Sequence, residues 1–268
     1  MDFSSDFTTA ASQSSSPEAQ EGPFRRTLIT SDPPMHRFLR GTISSAFSVS
    51  SVEALRPRIK DISNELIDNV IEEGSMELVR DFSYPLPVTV IAELLGIPIM
   101  DRDLFKSWAE ELLKSIDETV SADAGKVTNT RMQQIQKEMN DYFRIVIEEK
   151  RKAPGQDLIT RLIKTETDSK RLSEEEILSF CALLLQAGHL TTVNLINNCI
   201  WSLLENPSQL EKIDNGHLPS TLTTAIEETL RYRSPVQGLA RICTKKTELG
   251  DKTISTGQSH HVDRLSQS

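Results

Sequence analysis

The chain has 268 residues, 37% of them hydrophobic and 26% charged, which is enough for one large domain or two small ones. A net charge of −9 argues against nucleic acid as a partner. Apolar runs are interrupted well short of the roughly 18 residues that a membrane helix needs, and the N-terminus lacks the features of a signal peptide. We therefore expect a cytoplasmic protein that does not enter a membrane.

The N-terminal segment 1–23 is rich in Ser, Thr, Gln and Glu and has little apolar surface to bury. Such a composition predicts a poorly ordered segment. Residues 35–47 then have the pattern of a short amphipathic helix. His36 and Arg40 are four positions apart and share a face of it. On the residues alone, a solvated basic edge is a sufficient interpretation of that pair.

Helical spacing of apolar residues continues through the next hundred positions. Gly74 ends the first of these helices, and Gly96 with Pro98 ends the second. The predicted helices span residues 50–73, 84–95, 99–116, 128–152 and 156–165.

A long helix is predicted between Ser173 and Pro207. Ser173 and Glu176 form a capping box at its start. Apolar residues cover nearly its whole circumference, which is typical of a helix that crosses the middle of a domain. Its length would be roughly 50 Å at 1.5 Å per residue.

The middle of this helix, at residues 187–194, contains Ala187, Gly188 and Thr191. Gly is unfavourable inside a helix, and two small residues would let a flat group approach the backbone. The Thr191 hydroxyl can bond back to a carbonyl one turn earlier. A tolerated kink in a core helix is the alternative interpretation.

The C-terminal part begins with a helix predicted at residues 219–232. Glu228 and Arg231 lie three positions apart on it and can pair, although a surface ion pair would look the same. Short strands are predicted for residues 236–255, with a turn at Gly250 and Asp251.

Three motifs in this order resemble those of the cytochrome P-450 haem-thiolate monooxygenases. Asp32 to Arg40 resembles D-P-P-x-H-x-x-x-R of the bacterial soluble branch. The run from Ala187 to Thr192 resembles (A/G)-G-x-(D/E)-T-(T/S), and Glu228 to Arg231 resembles E-x-x-R. The resemblance implies a mainly α fold with a long central helix and a small β region, here incomplete. It implies that residues 24–258 form this partial helical domain.

The resemblance also implies roles for individual residues. His36, Arg40 and Arg241 would bind haem propionates, and Ala187 and Gly188 would lie against the macrocycle. Thr191 would act near bound dioxygen. Glu228 and Arg231 would form a buried structural ion pair. The implied partners are a small organic substrate and a ferredoxin or flavodoxin that supplies electrons. The two helices at 99–116 and 128–152 would form a mobile lid over the substrate pocket.

The sequence departs from the family at two positions of chemical importance. The family places its haem-ligating cysteine in a Gly-rich loop with a Phe, and Cys181, Cys199 and Cys243 do not stand in such a loop. Leu190 occupies the position where the family usually has an acid. No cluster of Cys and His residues in the sequence has the spacing of a zinc site. We therefore expect a family member without its thiolate ligand and without turnover.

The last residues, 259–268, do not resemble the family in the printed reading frame. Read one base later, their codons can spell a family-like continuation, which favours a frameshifted tail. A naturally divergent tail is the alternative. In such a fragment, Leu183, Leu184, Ile196 and Ile200 would keep exposed apolar surface. A haem-free helical ligand-binding or scaffold protein remains the second functional hypothesis.

Overall fold

The fold was analysed in a computed structural model that describes residues 2–6, 27–44, 47–119, 125–167, 170–214 and 218–263. Helices dominate this part of the chain, which confirms the expected mainly α class. The α-helices are α1 (Met35–Ser44), α2 (Val49–Glu53), α3 (Arg56–Asp68), α4 (Pro85–Leu95), α5 (Arg102–Thr119), α6 (Gly125–Lys152), α7 (Leu158–Lys164), α8 (Glu174–Glu205), α9 (Pro207–Asp214) and α10 (Leu218–Tyr232).

Shorter elements connect these helices. Two 3₁₀ turns lie at Ile71–Glu73 and Ile99–Asp101, and a π-helical turn lies at Val79–Ser83. The strands are β1 (Phe3–Ser4), β2 (Glu166–Thr167), β3 (Lys170–Arg171), β4 (Gly238–Cys243), β5 (Thr247–Leu249), β6 (Lys252–Ile254) and β7 (Ser259–Asp263). Neighbouring strands are antiparallel in all three small sheets of the described chain.

The expected single helix over residues 50–73 is wrong, because the chain forms α2, then α3, then a 3₁₀ turn. Pro57 lies in the first turn of α3. Its missing N–H removes the bond that would continue α2, so a new helix begins there. Gly74 still ends this region in the left-handed conformation, at φ 66°.

The central helix α8 begins and ends as the sequence predicts. Ser173 accepts from the Glu176 amide at 3.2 Å, and the Glu176 carboxylate accepts from the Ser173 amide at 2.7 Å. Both halves of the capping box are therefore present. Asn206 follows the last helical residue, and Pro207 starts α9.

The core lies where α4, α5, α6 and α7 pack on α8. The largest fully buried side chains are Phe105, Phe143, Leu95, Met139, Ile147, Leu158, Ile159, Leu162, Ile177 and Leu185. Burial along α8 is uneven. Residues 177–183 are all buried, whereas residues 194–200 are all half-buried. Leu183 is thus covered, contrary to expectation, while Leu184, Ile196 and Ile200 keep part of their surface exposed.

Phe3 and Ser4, near the start of the N-terminal segment, form a strand of the C-terminal sheet. β1 pairs with β4, with Phe3 opposite Cys243. The Asp2 carboxylate accepts from the Thr247 hydroxyl at 2.8 Å and pairs with Lys245 at 2.9 Å. Residues 7–26, which hold the rest of the segment 1–23, lie outside the described residues.

The tail beginning at residue 259 is also part of this sheet. β7 pairs with β4 from Ser259, opposite Ile242, to Asp263, opposite Gly238. Residues 259–263 thus complete the three-stranded order β1-β4-β7, and the origin of the tail sequence stays a prediction. Residues 264–268 lie outside the described residues.

One helix of the described chain, α8, is long and apolar enough to cross a membrane by length and composition. The count of uninterrupted apolar runs did not anticipate this. However, 56% of its most apolar window is buried inside the structure. Core helices of globular domains pass the same test, and the packing of four other helices on α8 fits that explanation.

Candidate functional site

The central turns of α8 carry two threonine hydroxyls bonded back to the helix. The Thr191 hydroxyl donates to the Ala187 carbonyl at 2.6 Å, and the Thr192 hydroxyl donates to the Gly188 carbonyl at 2.8 Å. The back-bonding predicted for Thr191 is present. The helix nevertheless remains continuous from Glu174 to Glu205.

The same turns present two different faces. His189 and Val193 are buried. Ala187 and Thr191 each lie two positions from His189, which is roughly 200° around a helix. Both are half-buried. The buried face therefore packs on the protein, and the opposite face, with Ala187 and Thr191, is accessible to a ligand.

Gly188 belongs to neither a void nor the accessible face. A Cβ atom at Gly188 would lie 3.0 Å from Cδ1 of Ile91, which is on α4. The small size of Gly188 is thus used by close packing of α4 on α8, whereas the sequence hypothesis reserved that space for a flat group. The roles of Ala187 and Gly188 toward a cofactor stay predictions.

The buried face is held by a histidine that the sequence analysis did not single out. His189 is only 2% exposed, and its Nε2 lies 3.2 Å from the Tyr84 carbonyl oxygen, so Nε2 carries the donated proton. Its ring stacks edge-on against the Tyr84 ring at 4.4 Å. Burial lowers the pKa of His189 below 6.5, which outweighs the opposing effect of the Tyr84 hydrogen bond.

A second contact lies two turns along the same helix. The Ser83 hydroxyl donates to the Asn197 side-chain oxygen at 2.7 Å, and Ser83 is fully buried. Pro85 and Pro87 are the sequence signal for this region, because two missing N–H groups disrupt regular helical bonding. The structure has a π turn there, with the Tyr84 amide bonded to the Val79 carbonyl at 3.0 Å.

His36 and Arg40 lie on α1, whose apolar side faces the first half of α8. Leu39 and Ile43 share a small cavity with Ser179 and Phe180. His36 is half-buried and Arg40 is exposed. Among the described residues, neither side chain has an ion-pair partner, so both side chains are available to an anionic group.

Arg241 lies on β4 of the C-terminal sheet. It is half-buried on β4 and donates to the Ala240 carbonyl at 2.8 Å. The neighbouring Ile242 pairs with Ser4, whose hydroxyl donates to the Asp32 carboxylate just before α1. The Ser5 amide donates to the same carboxylate at 3.0 Å. The sheet that carries Arg241 is therefore attached to the start of α1. Joint binding of one ligand by His36, Arg40 and Arg241 stays a prediction.

The side chains of His36, Arg40 and Arg241 suit the edge of a flat macrocycle that carries two carboxylates, such as haem. Cationic side chains without carboxylate partners suit propionates, and small residues on an accessible helix face suit a ring. Cysteine ligation is another matter. Cys181 is fully buried, which raises the pKa of its thiol. The Cys243 thiol is 1% exposed and donates to the Lys245 carbonyl at 2.9 Å. Neither cysteine is placed as an open thiolate ligand.

No group of three or more His, Cys, Asp or Glu side chains that could hold a metal ion occurs in the part of the chain that the structure describes. Cys199, the remaining cysteine, is half-buried on α8.

Glu228 and Arg231 form a two-point ion pair on α10, at 2.6 and 2.7 Å. The two side chains pair in this geometry, and the pair is exposed where the sequence analysis expected a buried one. The Arg231 and Glu228 side chains are 49% and 57% exposed. The Arg231 hydrogen bond lowers the pKa of Glu228. The pair borders a cleft of about 670 Å³ between the ends of α8, α9 and α10.

Comparison with known proteins gives a consistent result. Residues 4–261 match the family model described as Cytochrome P450. The chain is 40% identical over 231 residues to "Putative cytochrome P450 YjiB" of Bacillus subtilis, covering 86% of this chain and 58% of that protein. It is 42% identical to "Cyclomarin C epoxidase CymV" of Salinispora arenicola, covering 86% of this chain and 57% of that protein.

The solved structures agree with the sequence comparison. Substrate-free CYP109E1 from Bacillus megaterium superposes with a TM-score of 0.85 at 35% identity, covering 97% of this chain and 65% of that one. The chain therefore spans less than two thirds of the length of these relatives. The matched residues include Ser4 of β1 and the first three residues of β7, 259–261, all of which the motif analysis left outside the partial domain.

Proposed function

Because the chain belongs to the cytochrome P450 family, we propose that it carries the helical part of a haem-dependent monooxygenase that oxidises small organic molecules. One observation carries the proposal. The motif from Ala187 to Thr192 lies on α8, where Ala187 and Thr191 are half-buried while His189 and Val193 on the other face are buried. A haem-free scaffold would not need small residues on an open face of its central helix.

Different residues of the chain would bind different parts of haem. His36, Arg40 and Arg241 hold the haem carboxylates, and the attachment of Ser4 to Asp32 keeps the sheet and α1 together. Ala187 supplies the flat part of α8, while Gly188 is packed against Ile91 of α4. Haem supplies the activation of dioxygen when it is bound. Thr191 holds its hydroxyl at the edge of this face through the bond to the Ala187 carbonyl.

Proton supply at Thr191 differs from the usual family arrangement. Leu190 is apolar, so the residue next to Thr191 cannot donate or accept a proton. His189 points into the protein and donates to the Tyr84 carbonyl, so it does not replace the acid. The Thr191 hydroxyl is thus the polar side chain of this turn that meets the accessible face, and protons reach it from solvent or substrate.

Substrate and partners follow the family. A small organic substrate would enter beside α5 and α6, which pack on each other and on α8. A ferredoxin or flavodoxin would supply electrons, in the cytoplasm. Within the 268 residues, the buried Cys181 and Cys243 do not serve as the haem ligand. We propose that this chain alone binds haem weakly and does not turn over.

The test is optical. Residues 1–268 are expressed, haem is added, and the spectrum is recorded after reduction under carbon monoxide. We expect a haem spectrum without the thiolate-haem Soret band, and no product with added ferredoxin and reductase. Arg40→Ala should weaken haem binding. Arg37→Ala is the matched control, because Arg37 is an exposed arginine of the same helix at an x position of the D-P-P-x-H-x-x-x-R motif.

Two outcomes contradict the proposal. Equal haem affinity of the two variants would remove Arg40 from the site. A thiolate-haem band with product formation would show that one of the present cysteines is a competent ligand.

A further inference from the structure

The buried face of α8 is anchored at two points to consecutive residues of another element. His189 donates to the Tyr84 carbonyl at 3.2 Å, and Asn197 accepts from the Ser83 hydroxyl at 2.7 Å. His189 and Ser83 are 2% and 0% exposed. Each bond therefore has one buried partner, and a buried polar group that loses its hydrogen bond is costly.

The segment that anchors α8, residues 83–87, has a constrained backbone. Ser83 ends the π turn, and Tyr84 caps it through the bond of its amide to the Val79 carbonyl. Pro85 and Pro87 follow at once, and their rings fix two backbone angles while removing two donors. The polar groups of Ser83 and Tyr84 are thus held in place independently of α8.

The two anchors bracket the turn of chemical interest. Thr191 lies between His189 and Asn197 along α8 and projects from the accessible side. Gly188 adds a third contact, because α4 approaches its backbone through Ile91. A rotation or slide of α8 would break both hydrogen bonds and would move Thr191 at the same time.

We propose that His189 and Asn197 are positioning residues for the Thr191 turn. By holding Tyr84 and Ser83 they fix the rotation of α8 about its axis and its depth against α4. The rotation and depth of α8 together determine the position of the Thr191 hydroxyl. The link to catalysis rests on the proposed function, whereas the anchoring itself is a property of this chain with or without haem.

Hydrogen exchange read by mass spectrometry tests the anchoring on the chain of 268 residues without haem. Two variants probe His189. His189→Leu introduces an apolar side chain of similar bulk that has no hydrogen-bond donor. His189→Gln restores an N–H donor. We expect about tenfold faster exchange of the peptide over residues 186–195 in His189→Leu, the size expected for loss of one hydrogen bond to local opening. His189→Gln should recover most of that protection, and peptides from α6 serve as the reference.

Neighbouring asparagines supply a matched pair. Asn197→Ala loses the bond to Ser83, and Asn198→Ala loses a bond of 2.9 Å to the Arg233 carbonyl beyond α10. Asn197→Ala should speed exchange at residues 186–195. Asn198→Ala should affect the end of α8 and leave that peptide unchanged. If His189→Leu does not fold, this pair alone decides.

Three results would overturn the inference. One is equal acceleration of the peptide by Asn197→Ala and Asn198→Ala. Another is a His189→Leu effect spread evenly over all helices. The third is a His189→Gln variant no better protected than His189→Leu. Failure of the unaltered chain to bind haem would instead contradict the proposed function and leave the exchange result to judge the anchoring.

Discussion

The imidazole of His189 is neutral in the folded chain near neutral pH, because burial lowers its pKa below 6.5. The unfolded chain takes up a proton on this residue as the pH falls through 6.5, while the folded chain resists it. The unfolded state then binds more protons, so acid weakens folding in this range. Stability from His189 is complete above pH 6.5 and declines below it until the folded residue is also protonated.

This gives a pH prediction. The urea midpoint of the unaltered chain should fall more steeply than that of His189→Gln between pH 7.5 and pH 5, measured by circular dichroism. The other histidines are common to both proteins and cancel in the difference. Parallel profiles would mean that His189 is protonated equally easily in both states.

The ion pair of Glu228 and Arg231 should matter little for stability. Both side chains are about half exposed, and solvent screens such pairs. Glu228→Ala should therefore shift the unfolding midpoint less than Asp157→Ala does. Asp157 is 8% exposed, pairs with Lys150 at 2.9 Å and caps α7 through the Thr160 amide.

Asp157 supplies the contrast for a physical reason. Loss of an N-cap alone costs about 1–2 kcal/mol, and Asp157→Ala would also leave Lys150 without its partner. Burial alone would raise the pKa of Asp157, but the Thr160 amide and Lys150 lower it on balance. A larger loss for Glu228→Ala than for Asp157→Ala would restore the buried-pair expectation.

At the scale of elements, helix ends were the part of the fold that the sequence predicted best. The capping box of α8 and the glycine ends at Gly74 and Gly96 were predicted from residue type alone. These signals are local, so no tertiary information is needed. The break at Pro57 has an equally local cause, but continuous apolar spacing over 50–73 concealed it.

Gly96 combines two requirements, and a pair of variants separates them. It ends α4 at φ 74°, and a Cβ there would meet the Asp157 Cβ at 2.5 Å and Lys150 Nζ at 2.8 Å. Gly74 has a similar φ of 66° with open space around it. Gly74→Ala should cost about 1 kcal/mol for backbone strain alone. Gly96→Ala should cost clearly more, in chemical denaturation, because the ion pair must also move.

Equal losses in the two alanine variants would show that Asp157 and Lys150 can shift freely. The Gly96 requirement would then be purely conformational.

The site was predicted unevenly for reasons that lie in its contacts. Thr191 was found because a helical threonine has a defined local bond. His189 was missed because a single polar residue in an apolar helix gives no hint of a carbonyl 105 positions earlier in the chain. The exposure of Glu228 and Arg231 depends on what packs over α10, which no spacing rule contains.

At the scale of the whole molecule, the second half of α8 leaves apolar surface uncovered. Trp201 is 58% exposed and Leu204 is 65% exposed, three positions apart on one side. Contiguous apolar surface promotes association. Leu204→Lys should therefore reduce self-association of the chain in sedimentation or light scattering. Ile145→Lys is the matched control, since Ile145 on α6 is 60% exposed. An equal benefit from both variants would indicate a general effect of added charge.

The pairing of β1 with β4 has a consequence for synthesis of the chain. Phe3 is synthesised before Cys243, its strand partner, so β1 stays unpaired until β4 has been made. At 5–20 residues per second that interval lasts roughly 12 to 50 s, far longer than hairpin formation, which takes microseconds. Throughout this interval Asp2 lacks Lys245 and Thr247, and Ser4 can meet only Asp32. β1 is therefore an unpaired strand during this interval, and the sheet can close only after β4 has been made.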